Sequence, residues 1–299
     1  MTALSGAIVL GPNQYGKAEN RVVRIHRENA RHEIRDVNVS TTLRGDFAAA
    51  HLEGDQSAVL PTDSQKNTAY AFAKDRLGAI EDYGLDLARH FASRFAAVDC
   101  ARIDIEEYLW QRATVAGREH DHTWIRRGQE VRTAAVTATA DEAWVIAGLK
   151  DLTLLKSTGS AFEGFLVDEY TTLRPAADRV LATTVTVEWR YTATDIAWDT
   201  TYADVRALLI DRFADVDSKA LQQTLFEMGK AVLEAHPPIA EIRLSAPNNH
   251  HFAYDLAPFG LPNPNEVFHA ADRPYGLIQA SVLRTDAPDA GPSWQKGAA

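Results

Sequence analysis

The chain has 299 residues, 45% of them apolar, which is enough to build a sizeable core in one large or two ordinary domains. Its 31 Lys and Arg stand against 41 Asp and Glu for a net charge of -10, so the average surface repels phosphate backbones and nucleic acid is not expected as a partner. The one cysteine, Cys100, can form neither an internal disulfide nor a thiolate metal cluster, which fits a reducing cytoplasm. No apolar run reaches the roughly eighteen residues of a membrane-spanning helix, so no membrane partner is expected. The opening MTALSGAIVLGPNQYGK lacks a secretion signal and the last residues lack a Ser-Lys-Leu address, so a cytoplasmic location is expected.

In chain order, residues 20–27 and 33–43 alternate as two strands of a hairpin, with Val37, Val39, Thr41 and Leu43 on one side of the second. In PTDSQKNTAYAFAKD, Thr62 and Gln65 have the spacing of a capping box, predicting a short helix. Ile80, Tyr83, Leu87, Phe91 and Phe95 then form the stripe of an amphipathic helix. Residues 101–115 and 129–140 return to strand character, with His120-Asp121-His122 read as part of the loop between them.

The second half repeats that order. Strands are predicted at 143–157 and 183–193, helices at 199–214 and 218–235, and strands at 240–246, 251–256 and 276–284. The second helix is expected to open at Asp217 or Ser218 and to stop before Pro237-Pro238. Each half therefore reads β-β-α-α-β-β, an α+β internal duplication: an N-terminal unit 1–140 and a C-terminal unit 141–299, with a flexible tail from about residue 286. An antiparallel sheet with helices on one face leaves the other face open. With Val185, Val187, Trp189 and Tyr191 read onto that face, association with other copies is expected.

The chemistry-bearing residues gather in SAPNNHHFAYDL (245–256), where two amides and two imidazoles are adjacent, and metal binding and proton traffic are the two chemistries that use such a set. His120-x-His122 and His250-His251 match no zinc-ligand spacing, since neighbouring strand residues face opposite ways. There is no GxGxxG or GxxxxGK[ST] phosphate cradle. Thr62-Asp63 and Leu221-Gln222 both lie at helix starts, where free backbone N–H groups suit anionic or carbonyl-rich small molecules. By spacing alone, Thr62 reads as a cap, Lys17 and Arg179 as surface charges, Gln222 as a solvated helix residue and Phe162 as a core aromatic.

The segments NQYGK (13–17), TDSQKNT (62–68), LTLLKSTGSAFEGF (152–165), DEYTTL (168–173), LQQT (221–224), APNNHHF (246–252) and ADRPYGLI (271–278) resemble, in order, those of urate oxidase, the cofactor-free uricase family. The resemblance implies two tandem tunnelling-fold units whose antiparallel sheets form an oligomeric barrel with helices outside, assembled as a homotetramer. It implies oxidation of urate by O2 and water to 5-hydroxyisourate and hydrogen peroxide, without metal or organic cofactor. Arg179 and Gln222 would clamp the edge of the urate ring, and Phe162 would stack on it. The backbone N–H groups of Asp63 and Leu221 would complete recognition. Lys17, Thr62 and His250 resemble the catalytic proton relay, and Asn248, with Thr62, the pair that holds oxygen or water over the ring.

Asn248 and His250, two apart, would face the site, and Asn249 and His251 would point away. The resemblance also implies that Lys17 and Thr62 come from one subunit and the other groups from its neighbour, so that a lone chain holds half a site. Val167 and Asn249 stand where arginine and lysine are frequent in the family, and Leu221 where valine occurs; the first two remove positive charge near the entrance. The rivals are a non-catalytic purine-binding protein on the same scaffold, which need not keep Lys17, Thr62 and His250, and a metal-dependent hydrolase, which would need a Cys/His cluster.

Overall fold

A computed structural model describes residues 6–297. The first five and last two residues, which the expectations about a leader, a terminal address and the outer ends of both units touch, lie outside the described residues. Eight strands follow one another across a sheet in chain order: β1 (Tyr15–His26), β2 (Glu33–Gly45), β3 (Val98–Val115), β4 (Arg118–Ala138), β5 (Ala143–Lys156), β6 (Leu181–Tyr191), β7 (Ile239–Ala253) and β8 (Phe268–Leu283). The helices are α1 (Ala48–Leu52), α2 (Thr62–Arg76), α3 (Ile80–Arg94), α4 (Trp198–Asp215) and α5 (Leu221–Ala235), giving an α+β chain with antiparallel strand pairs. It divides into two compact units. Unit 1 holds residues up to Arg127, Thr133–Ile146 and those from Ala290 on; unit 2 holds Gly128–Arg132 and Ala147–Asp289.

In unit 1, β1 begins five residues before the alternation becomes legible, because its register with β2 shifts between Lys17 and Asn20, where Glu19 has φ of 57°. Beyond that bulge the period of two resumes, and Val22, Val37 and Val39 enter the core. β3 and β4 form one long hairpin about a two-residue turn, Ala116-Gly117, with φ of 50° and 78°. His120 and His122 thus lie on β4 and not in a loop, with ring centroids 4.4 Å apart. Both faces of that strand are exposed there, so no alternation marked it. On α3, Ile80, Tyr83, Leu87 and Phe91 are fully buried. Gly84 lets the helix approach the sheet, since a β-carbon there would lie 2.7 Å from Val136.

In unit 2, α5 repeats that device: a β-carbon on Gly229 would lie 2.7 Å from Val282 of β8. Trp189 and Tyr191 were expected on the open face of the sheet, but they lie beneath α4, where Trp189 stacks at 6.2 Å on Tyr202 and Tyr191 meets Trp198 edge-on at 5.1 Å. Trp189 Nε1 donates to the Tyr191 hydroxyl at 2.9 Å, so the buried indole keeps a partner. The opposite face carries Thr186 and Glu188, half-exposed. α5 opens at Leu221 behind an extended Ala220, later than Asp217 or Ser218, because the Ser218 hydroxyl is engaged as acceptor from Thr224 at 2.7 Å. β7 runs unbroken where two strands were expected, and a register shift between Asn248 and His250 absorbs the irregularity.

The segment after β8 has the Pro, Gly and Asp content of a loose end, yet it is held at several points. In unit 2 the Arg190 guanidinium donates to the Pro288 carbonyl at 2.9 Å. In unit 1 the guanidinium of Arg102 donates to the Ser293 carbonyl at 2.6 Å, and Ser293 is buried. Composition could not show these partners, since both arginines lie far away in sequence.

Candidate active site

The larger group of candidate residues is built in unit 2 around the backbone of the buried Ser160. Its carbonyl accepts the Arg179 N–H at 2.8 Å. Ser160 also bridges Ser218: Ala161 N–H reaches the Ser218 carbonyl at 2.8 Å and Ser218 N–H the Gly159 carbonyl at 2.9 Å. Two residues on, Phe162 and Ala176 exchange N–H···O bonds of 2.8 and 2.9 Å. The loop between β5 and β6 is therefore a small ladder that fixes Phe162, Arg179 and the approach to α5 in one framework. Asp178 locks it further, accepting from the Thr158 hydroxyl at 2.7 Å and the Gly159 N–H at 3.0 Å; the Thr158 bond foremost holds this carboxyl below its ordinary range.

A cavity of about 650 Å³ opens beside this ladder, and Phe162, Arg179, Asn248 and His250 all line it. The Arg179 guanidinium carbon lies 5.1 Å from the Phe162 ring centroid, and Phe162 stacks on Phe165 at 4.9 Å. Burial pushes the Arg179 guanidinium down from its ordinary value, and its Nε is buried without a hydrogen-bond partner. An enclosed guanidinium with a free donor is a site for a planar acceptor edge.

His250 stacks on Phe252 at 5.5 Å. Burial first, and the charge of Arg179 second, hold its proton affinity below the ordinary 6.5, which favours the neutral imidazole. Asn249 turns from this group and donates to the Thr184 hydroxyl at 3.1 Å. His251 also lines the cavity, and its Nδ1 donates to the Asn249 carbonyl at 2.9 Å. The simple alternation expected for residues 248–251 fails because the register shift falls inside it.

The smaller group is in unit 1. Lys17 is on β1 and Thr62 is the first residue of α2, preceded by Pro61, which cannot cap with a side chain. The expected capping box is absent. Gln65 is instead fully buried, and its Oε1 accepts from the Thr41 hydroxyl at 2.6 Å. The same hydroxyl accepts the Lys17 N–H at 3.1 Å, and the Tyr15 hydroxyl donates to the Leu60 carbonyl at 3.2 Å. Two ties thus hold the start of α2 to the Lys17 segment. Gly16 permits the contact, since a β-carbon there would lie 1.7 Å from the Thr41 carbonyl oxygen. Asp63 is exposed beside Lys66, whose hydrogen bond is the chief cause that lowers the Asp63 carboxyl, with Lys17 a smaller one.

The uricase family model matches residues 13–137 and 145–279. A uricase from Arthrobacter globiformis is 50% identical over 98% of this chain and 96% of its own length, and one from Dictyostelium discoideum is 35% identical over 91% and 96%. This chain belongs to the uricase family. A crystal structure of the Arthrobacter globiformis uricase superposes with a TM-score of 0.93 over 97% of this chain and 100% of that one, and a uricase from Bacillus fastidious, 25% identical, with 0.78 over 91% and 93%. The fold is accordingly uricase-like.

Against the family's expected set, unit 2 brings Phe162, Arg179, Asn248 and His250 to one cavity. Leu221 and Gln222 stand at the first turn of α5, the former buried and the latter exposed, outside the cavity lining. Lys17, Thr62 and Asp63 are in unit 1. Sequence reasoning did not single out Arg174 and Asn265 and turned His251 away from the site, yet all three line the cavity. Their signal was weak: Arg174 stands in a loop like any surface cation, and only the register shift reveals His251. Among the described residues, no three His, Cys, Asp or Glu are grouped to hold a metal ion, and no helix is long and apolar enough to cross a membrane.

Proposed function

We propose that this chain, a urate oxidase by family, oxidises urate with O2 and water to 5-hydroxyisourate and hydrogen peroxide, at sites completed by a second copy of itself. The observation that carries the reading is the enclosure of Arg179, Phe162, Asn248 and His250 about one cavity, with a guanidinium donor left unsatisfied. Arg179 and the amide of Gln222 clamp the ring edge; Phe162 supplies a flat apolar face; the backbone N–H groups of Leu221 and Asp63 donate to further ring oxygens and nitrogens. Lys17, Thr62 and His250 form the relay, with the Thr62 hydroxyl between an amine and a neutral imidazole, and Asn248 with Thr62 holds oxygen or water above the ring.

Deprotonated urate is electron-rich enough to reduce dioxygen, so the reading needs no metal or organic cofactor. The protein's part is to take a proton, hold the ring and fix the position of oxygen. We propose two tandem tunnelling-fold units, divided near residue 141, and a homotetramer in which Lys17, Thr62 and Asp63 of one chain face the Arg179 cavity of another. Support comes from the matched devices at Gly84 and Gly229 and from the partition of the candidate residues between the two units. A cytoplasmic location fits the single cysteine. The test is aerobic incubation with urate and a chelator, following urate absorbance and peroxide. The reading requires loss of urate with peroxide formed one for one; unconsumed urate, or activity abolished by the chelator, overturns it.

A further inference from the structure

The formal charges of the cavity lining sum to a positive excess. Its formally charged lining side chains are Arg174, Asp178 and Arg179. The Asp178 carboxylate is committed to Thr158 and Gly159, and Arg179 is held against Phe162. Arg174 differs from both: it is exposed, and it makes no hydrogen bond or ion pair among the described residues. Its backbone is nevertheless anchored, because Ala176, two residues on, is bonded in both directions to Phe162. Among the described residues, Arg179 is thus the one other cation in the lining, and it is already engaged with Phe162. In a chain of net charge -10, an anion approaching the cavity needs a local attraction to offset the general repulsion.

We propose that Arg174 recruits the substrate anion to the cavity and passes it to Arg179, acting on capture and not on the oxidation itself; this rests on the assignment of the cavity to urate. An exposed guanidinium on an anchored backbone suits that task, since its long stem sweeps the mouth while the half-buried Arg179 waits at the wall. The contribution is a field, so a lysine serves nearly as well as an arginine.

The test measures kcat and kcat/KM for urate across a range of ionic strength in Arg174→Gln, Arg174→Glu and Arg174→Lys, with Lys230→Gln on the exposed face of α5 as a control for net charge. Arg174→Gln should lower kcat/KM about three- to tenfold at low salt and leave a flatter salt dependence, and Arg174→Glu should lower it further. The gap should close near 1 M salt, where the screening length is about 3 Å. Arg174→Lys should restore the parent's behaviour, and kcat should stay within about twofold throughout. An Arg174→Gln protein with the parent's kcat/KM and salt slope, a loss independent of salt, or an equal loss in Lys230→Gln would overturn the inference. A parent enzyme that leaves urate unconsumed would instead overturn the assignment of the cavity.

Discussion

The Arg179 guanidinium carbon stands 5.1 Å from the centre of the Phe162 ring, while its Nε is buried with no partner. A charged donor left this way costs stability unless a ligand satisfies it, so the pair is poised for a flat molecule with an acceptor edge. Arg179→Lys keeps the charge and removes the fork. It should lower kcat/KM for urate by about 10- to 100-fold, the equivalent of one or two charge-assisted hydrogen bonds. Steady-state kinetics check this, and an unchanged kcat/KM would remove Arg179 from the clamp.

Relay residues should behave differently. Lys17→Met and Thr62→Ala should each reduce kcat by about 100-fold or more with little change in urate binding, because they act on protons and not on the ring edge. Single-turnover kinetics beside equilibrium binding separate the two. A parent-like kcat in either variant contradicts the relay.

The link from Gln65 through the Thr41 hydroxyl to the Lys17 N–H gives a third expectation. Gln65→Ala leaves that hydroxyl buried and short of a partner, and it should destabilise the protein by about 1 to 3 kcal/mol. It should also lower kcat, since the Lys17 segment and the start of α2 lose a common anchor. Denaturant unfolding and kinetics together check this; a loss of stability with kcat retained would confine Gln65 to packing.

On the proposed relay, His250 should set the acid limb of activity. Its proton affinity in the fold is depressed, by burial and then by Arg179, so the imidazole stays neutral to below the ordinary 6.5. The unfolded chain takes up this proton first as pH falls, so the contribution of neutral His250 to stability is complete above 6.5 and is lost as pH drops through the folded value. The acid limb of kcat/KM should have its midpoint below 6.5. His250→Asn should erase that limb along with most of the turnover. A midpoint above 6.5 would contradict this arrangement.

Much of the fold was legible because its core is periodic. The stripe of α3 and the alternation along the middle of β6 follow directly from burial on one face. What escaped reading lay where two faces are alike or where a register slips. β4 continues through His120 and His122 with both faces exposed, and β1 and β7 carry register shifts beside Lys17 and Asn248. Both shifts fall at candidate site residues, and the one in β7 accompanies Asn248, His250 and His251 all lining one cavity. Trp189 and Tyr191 were assigned to the wrong face because the alternation gives the two sets but not which set the helices cover. Of the site, composition and spacing marked the 248–251 cluster and the two helix starts. The roles proposed for Phe162 and Arg179 came only through resemblance, since a single aromatic and a lone arginine carry no spacing signal.

In the proposed assembly one chain supplies Lys17 and Thr62 while another supplies Arg179. It is tested most directly by co-assembling an Arg179→Ala chain with a Lys17→Met chain, each inactive alone, and measuring urate oxidation in verified mixed oligomers. One class of shared site would then keep all its groups, so activity should return to a substantial fraction of the parent's. Mixed oligomers as inactive as their parts would show that each chain carries a whole site.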